Sequence, residues 1–158
     1  MTTTNLRRLM NETKQLLDGG EIKPFEIKMV DESMFHWTAT IYGPTDTPYE
    51  GYEFILDIML PNDYPRSPII PKFITPIQHL NINSEGNICA DILKKDKWIP
   101  TMCIMSMIES VISLLSEPNP SDPLNAELAE LYRTDRKKYE SHIKKHCRAH
   151  SRKSHLIK

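Results

Sequence analysis

Met34-Phe-His-Trp-Thr-Ala-Thr-Ile-Tyr-Gly-Pro44 is dense in aromatic and β-branched residues and closes on a Gly-Pro turn signal. That composition suits a pleated, half-buried strand better than a helix. On its N-terminal side Phe25, Ile27 and Met29 alternate with charged residues, and Asp31-Glu32-Ser33 supplies a turn between the two stretches. On its C-terminal side Phe54 to Leu60 is nearly all apolar and ends on Pro61-Asn62-Asp63, with Lys72 to Thr75 as a short fourth candidate. Strands joined by such short turns predict a four-stranded antiparallel meander.

Helical spacing flanks this meander. Leu6, Leu9, Met10, Thr13, Leu16 and Leu17 predict an N-terminal helix, capped by Thr4 or Asn5 and ended by Gly19-Gly20. Arg7 and Arg8 fall in its expected first turn, where cations oppose the helix dipole. They read either as solvated charge or as a basic patch for a partner. Prolines 65, 68, 71, 76 and 100 then break regular structure, and a loop that long in a compact domain is often functional. Beyond it Met102, Met105, Ile108, Ile112 and Leu115 predict a deeply buried helix, stopped by Pro118 and Pro120. Asp122-Pro123 reads as an N-cap and first-position proline of a short helix through about Leu131. Thr134 or Asp135 opens a last helix carrying Tyr139 and Ile143. Helix, meander, long loop and helices make an α+β fold, expected as a single domain over residues 1–150 with a basic tail at 151–158.

The chain's 158 residues, 39% hydrophobic and 26% charged, suit one globular domain with a real core. No run of about 18 apolar residues spans a membrane, and Met1 to Leu9 has no signal-peptide layout, so a cytosolic or nuclear setting is expected. Three widely spaced cysteines, Cys89, Cys103 and Cys147, do not form a disulfide framework. No CxxC pair occurs, so a structural zinc site is not expected; no metal or cofactor is expected either. Charge is uneven: residues 1–135 hold 11 Lys/Arg against 20 Asp/Glu, and residues 136–158 hold 9 against 1. The basic end reads as a solvated helix end and frayed terminus, or as a partner contact.

The loop carries a specific pattern, His79-Leu-Asn-Ile-Asn-Ser-Glu-Gly-Asn-Ile-Cys89. It resembles the His-Pro-Asn element and active-site cysteine of ubiquitin-conjugating enzymes. Met34 to Pro44, Pro48-Tyr49-Glu50-Gly51, Asp63-Tyr64-Pro65, Trp98-Ile99-Pro100, Pro118-Asn119-Pro120 and Tyr132-Arg133-Thr134-Asp135 match the same family in order. The resemblance runs from about Leu6 to Tyr139 and is closest to the small members that consist of the core domain alone.

It implies the family's fold and a transferase that accepts ubiquitin from an activating enzyme as a thioester on Cys89. The ubiquitin would pass to a lysine of a protein substrate with a RING or HECT ligase. A free thiol has a pKa near 8.5, so only a few per cent is thiolate at neutral pH; exchange between similar thioesters needs only modest activation. By the same resemblance Asn81 stabilises the oxyanion or holds the loop, Asp122 orients the incoming amine and helps remove its proton, and His79 is structural. Asp91 and Asn119 line the groove, Arg7 and Arg8 engage the activating enzyme, and Pro65, Arg66, Pro100 and Thr101 form the ligase surface. No membrane or nucleic-acid partner is implied. Cys103 reads as core or cap, and Cys147 as incidental.

Departures from the pattern carry expectations of their own. Leu80 replaces the motif's proline and should loosen the loop. Arg66 stands where an apolar residue is common, which should alter the set of ligases that fit. Glu26 should disfavour binding of a second ubiquitin on the outer sheet face. Tyr52 replaces a glycine, and one extra residue among Lys94 to Lys97 should reshape the lip of the groove. The alternatives are a non-catalytic scaffold or a carrier of another ubiquitin-like modifier.

Overall fold

The computed structural model describes residues 2–20 and 23–154. Helix α1 (Thr3–Leu16) is followed by strands β1 (Phe25–Val30), β2 (Ser33–Tyr42), β3 (Tyr52–Met59) and β4 (Ile70–Phe73). A long segment interrupted by one 3-10 turn (Asp91–Leu93) leads to α2 (Ile104–Ser116), α3 (Ala126–Thr134), α4 (Arg136–His150) and a two-residue strand β5 (Arg152–Lys153). The α+β class and the meander hold: β1 to β4 pair antiparallel in chain order. The addition is β5, which extends the sheet edge opposite Tyr52 and Glu53.

Register explains the core. Trp37 faces Ile58, Ala39 faces Leu56 and Ile41 faces Phe54 across β2 and β3. Period-two alternation sends all six to one side, where they are buried with Leu9, Ile104, Ile108, Val111 and Ile143 from the helices. Asp31 and Glu32 take positive φ at the tip of the β1–β2 hairpin, the backbone that two-residue hairpin turns require.

Several boundaries differ from expectation. The cap of α1 is Thr2, whose hydroxyl accepts from the Asn5 amide, so Arg7 and Arg8 lie past the first turn and barely sense the dipole. Strand β4 begins at Ile70, two residues before the expected start. Helix α3 is capped by Asn125, not Asp122; the amides of Leu124 and Asn125 are drawn instead to the Leu80 carbonyl, so residues 122–125 remain an ordered loop. Asp135 does cap α4. Cys147 is not incidental: it joins Tyr139 and Ile143 as the buried stripe of α4. Of the expected tail, residues 155–158 lie outside the described residues.

Glu12 was not expected inside. It is buried on α1, where it accepts from the Tyr64 hydroxyl at 2.7 Å and from the Ile104 amide at 2.5 Å. A carboxylate at the start of α2 satisfies one of its free amides and complements its dipole. Among the described residues, no helix is long and apolar enough to cross a membrane.

Candidate active site

Cys89 follows a tight turn. The Asn83 side chain accepts from the amides of Glu85 and Asn87, and Gly86 takes φ 89°. A Cβ at Gly86 would lie 2.1 Å from the Phe73 carbonyl oxygen, so only glycine lets the turn press against β4. The chain then returns to its own start: the Cys89 amide donates to the Asn81 carbonyl at 2.8 Å.

Residues 79–81 are fully buried. The His79 ring is held at both nitrogens: Nδ1 accepts from the Asn81 amide at 2.9 Å, and Nε2 donates to the Leu114 carbonyl at 2.8 Å. That pair of bonds specifies the neutral tautomer. Burial lowers the ring's pKa to about 4, only partly opposed by the Leu114 bond. His79 is therefore a neutral strut at physiological pH.

Leu80 fills the place of the motif's proline with a buried side chain, and its carbonyl accepts from both Leu124 and Asn125. Burial and two hydrogen bonds anchor the loop where a fixed φ would otherwise do so. Asn81 ties it to the other wall. Its Nδ2 donates to the carbonyls of Asn119 (2.8 Å) and Asp122 (3.2 Å), while its Oδ1 accepts from the Asn119 amide at 2.8 Å. Asn119 thus meets Asn81 through its backbone, while its side chain accepts from Ser121.

The opposite side of Cys89 is open and charged. Its half-buried thiol donates to Asp122 Oδ2 at 3.3 Å. The same oxygen accepts from Lys94 Nζ at 2.6 Å, and Lys94 also pairs with Asp91 at 3.2 Å. Burial pushes the Cys89 thiol up from its ordinary pKa, helped by the Asp122 hydrogen bond and charge and opposed by Lys94. Asp122 is held below the usual carboxylate range by Lys94 first and the thiol second. Lys94, which the residue pattern alone did not single out as part of the site, is pushed up by its bonds to Asp122 and Asp91.

The other residues assigned by resemblance lie around the N-terminal half of α1. Arg7 is exposed, but Arg8 donates to the carbonyls of Pro100 and Met102 and lies over the Tyr64 ring. Pro65 is buried and its carbonyl accepts from the Trp98 indole at 2.8 Å, whereas Arg66, Pro100 and Thr101 are exposed. Among the described residues, no group of three His, Cys, Asp or Glu side chains could hold a metal ion.

Comparison with known proteins matches residues 8–147 to the family model described as ubiquitin-conjugating enzyme. The chain is 47% identical over 154 residues to a protein of Acanthamoeba polyphaga mimivirus described as a probable ubiquitin-conjugating enzyme E2, covering 96% of this chain and 98% of that one. Its structure is similar to the E2 domain of a Toxoplasma gondii ubiquitin conjugating enzyme, with a TM-score of 0.81 and 34% identity over 93% of this chain and 99% of that one.

Proposed function

The chain belongs to the ubiquitin-conjugating enzyme family, and from that premise we propose that it carries ubiquitin as a thioester on Cys89 and passes it to a substrate lysine. The observation that supports this most is the thiol itself: accessible, fixed at its backbone by Asn81, and hydrogen-bonded to a carboxylate on the groove wall. In the first step the Cys89 sulfur, as thiolate, attacks the carbonyl carbon of ubiquitin's C-terminal thioester on the activating enzyme. A new C–S bond forms, the old one breaks, and the activating enzyme's sulfur leaves as thiolate. In the second step a neutral lysine amine attacks the same carbon, the C–N bond forms, and Cys89 leaves as thiolate while the amine's proton passes to solvent.

Two assignments follow from the geometry. Both Nδ2 hydrogens of Asn81 have carbonyl acceptors, and the side chain is sealed from solvent, so its role in this reading is to position Cys89 and the 119–122 segment. Asp122 is exposed and held below its ordinary pKa, which makes it a weak base; it contributes by drawing an ammonium to the groove beside the thioester. The exposed face of Arg66, Pro100 and Thr101 is the surface offered to a RING or HECT ligase, and exposed Arg7 is offered to the activating enzyme.

The test is a load-and-chase experiment. Incubated with ubiquitin, activating enzyme and ATP, the protein should gain a thiol-sensitive adduct of one ubiquitin that disappears when free lysine is added. Cys89→Ala should gain none. A folded parent protein that never forms the adduct would contradict the proposal.

A further inference from the structure

The groove contains a seat for an ammonium ion, and it is already occupied. Asp122 and Asp91 approach Lys94 Nζ at 2.6 and 3.2 Å. The Asp122 oxygen that holds the ammonium is also the one that accepts from the Cys89 thiol. An acceptor lysine arriving at a Cys89 thioester carries the same group, with the same charge and the same three donors. Lys94 is not a loose surface residue that happens to reach over. Its amide donates to the Asp91 carbonyl, and its own carbonyl accepts from Lys97 at 2.9 Å and from the buried Trp98 at 2.8 Å. The backbone is fixed at the lip, and only the side chain is free to swing.

We propose that Lys94 is a tethered occupant of the acceptor-lysine seat formed by Asp91 and Asp122, which an incoming lysine must displace before it can attack. The proposal rests on the carrier reading above. Lys94 holds the seat as a placeholder rather than as a nucleophile. Its hydrogen bonds to the two carboxylates favour the charged form, and an ammonium has no lone pair with which to attack a carbonyl. Displacing it exchanges two exposed ion pairs for the same two made by the newcomer, so the barrier is modest and responsive to the local concentration of acceptor. A substrate presented close to the groove overcomes it, whereas dilute bystander amines do not.

The experiment is single-turnover discharge of the ubiquitin-loaded protein over a range of free lysine concentrations, for the parent, Lys94→Gln and Lys94→Arg. Lys94→Gln should lower the half-saturating lysine concentration by about two- to fivefold, the order expected for exposed ion pairing. Lys94→Arg, which keeps a cation in the seat, should restore the parental concentration dependence. An unchanged or raised half-saturating concentration in Lys94→Gln overturns the proposal. So does a thiol-resistant ubiquitin conjugate on Lys94 of the parent, which would make it an acceptor.

A second readout needs no ubiquitin. Alkylation of Cys89 by iodoacetamide, followed against pH at the Cys89 peptide, should shift to higher pH in Lys94→Gln and not in Lys94→Arg, because the cation favours the thiolate. An unshifted profile removes Lys94 from the groove. Failure of the parent to load would instead refute the carrier reading, with the alkylation profile still deciding whether Lys94 sits beside the thiol.

Discussion

The two sides of Cys89 are built from opposite materials. On one side His79, Leu80 and Asn81 are fully buried, and every polar atom named there has a neutral hydrogen-bond partner. On the other, Asp91, Lys94 and Asp122 are 66%, 40% and 52% exposed in their side chains, and those side chains are joined by ion pairs. Buried neutral bonds are nearly indifferent to salt and costly to leave unmade; exposed ion pairs are screened and individually weak. The difference separates two tasks. The buried side fixes where the sulfur is, and in the proposed reading the exposed side governs what can approach it.

The largest expected effect breaks the buried side by acid. The unfolded chain protonates His79 near its ordinary 6.5, while the folded chain resists until about pH 4. Between those values the unfolded state binds a proton that the native state lacks, so stability rises with pH across that window. The contribution is fully present above 6.5 and lost as pH falls toward 4, a change of about 3 kcal/mol. Urea unfolding at steps through this window should show it, and His79→Asn should flatten the slope whatever its absolute stability. His146, whose pKa is lowered by burial and by His150 and His142, adds in the same direction, and His146→Gln separates its share.

Next in size is Asn81→Ala. It leaves the Asn119 amide and two carbonyls without their side-chain partner, at a cost of about 1–3 kcal/mol in urea unfolding. Discharge should also slow, because Cys89 and Asp122 lose their common brace. Full stability would show that water replaces the side chain and that the buried side is softer than the bonds imply.

The smallest effect falls on the exposed side. Asp122→Asn should leave unfolding unchanged and slow discharge to lysine about tenfold, below the usual range of about a hundredfold or more for a dedicated catalytic base. It should also bring the Cys89 thiol down toward its ordinary pKa, since the Asp122 hydrogen bond and charge both raise it. An altered unfolding midpoint would blur the division between the two sides.

Much of this was legible from residue patterns, and the rest failed for identifiable reasons. The aromatic and β-branched density around Trp37, with the alternation from Phe25 to Met29, gave the sheet, and the spacing from Met102 to Leu115 gave the buried helix. The run from His79 to Cys89 gave the family and a candidate nucleophile through resemblance. Local cap rules picked Asp122 over Asn125 because Pro123 follows it, but the Leu80 carbonyl, 44 residues away, claims the amides that would have begun that helix. Glu12 was passed over because a carboxylate on an amphipathic helix reads as solvent-facing; its partners, Tyr64 and Ile104, are distant in sequence. Lys94 was noticed only as part of a lengthened lip, since nothing in its neighbours announces a bond to a residue 28 positions on. Arg8, assigned to the activating enzyme by resemblance, also clamps α1 to the 100–102 segment, a long-range bond that its neighbours in sequence do not announce. Short-range pattern finds elements and local turns; long-range polar bonds decide where they end and what a charged residue does.

The most direct measurement is the intact mass of the protein under non-reducing conditions after incubation with ubiquitin, activating enzyme and ATP, for the parent, Cys89→Ala and Cys103→Ala. One added ubiquitin, removed by thiol, is expected on the parent and on Cys103→Ala and not on Cys89→Ala. A thiol-sensitive adduct that persists in Cys89→Ala, or none on a folded parent, would contradict the assignment of Cys89 as the carrier.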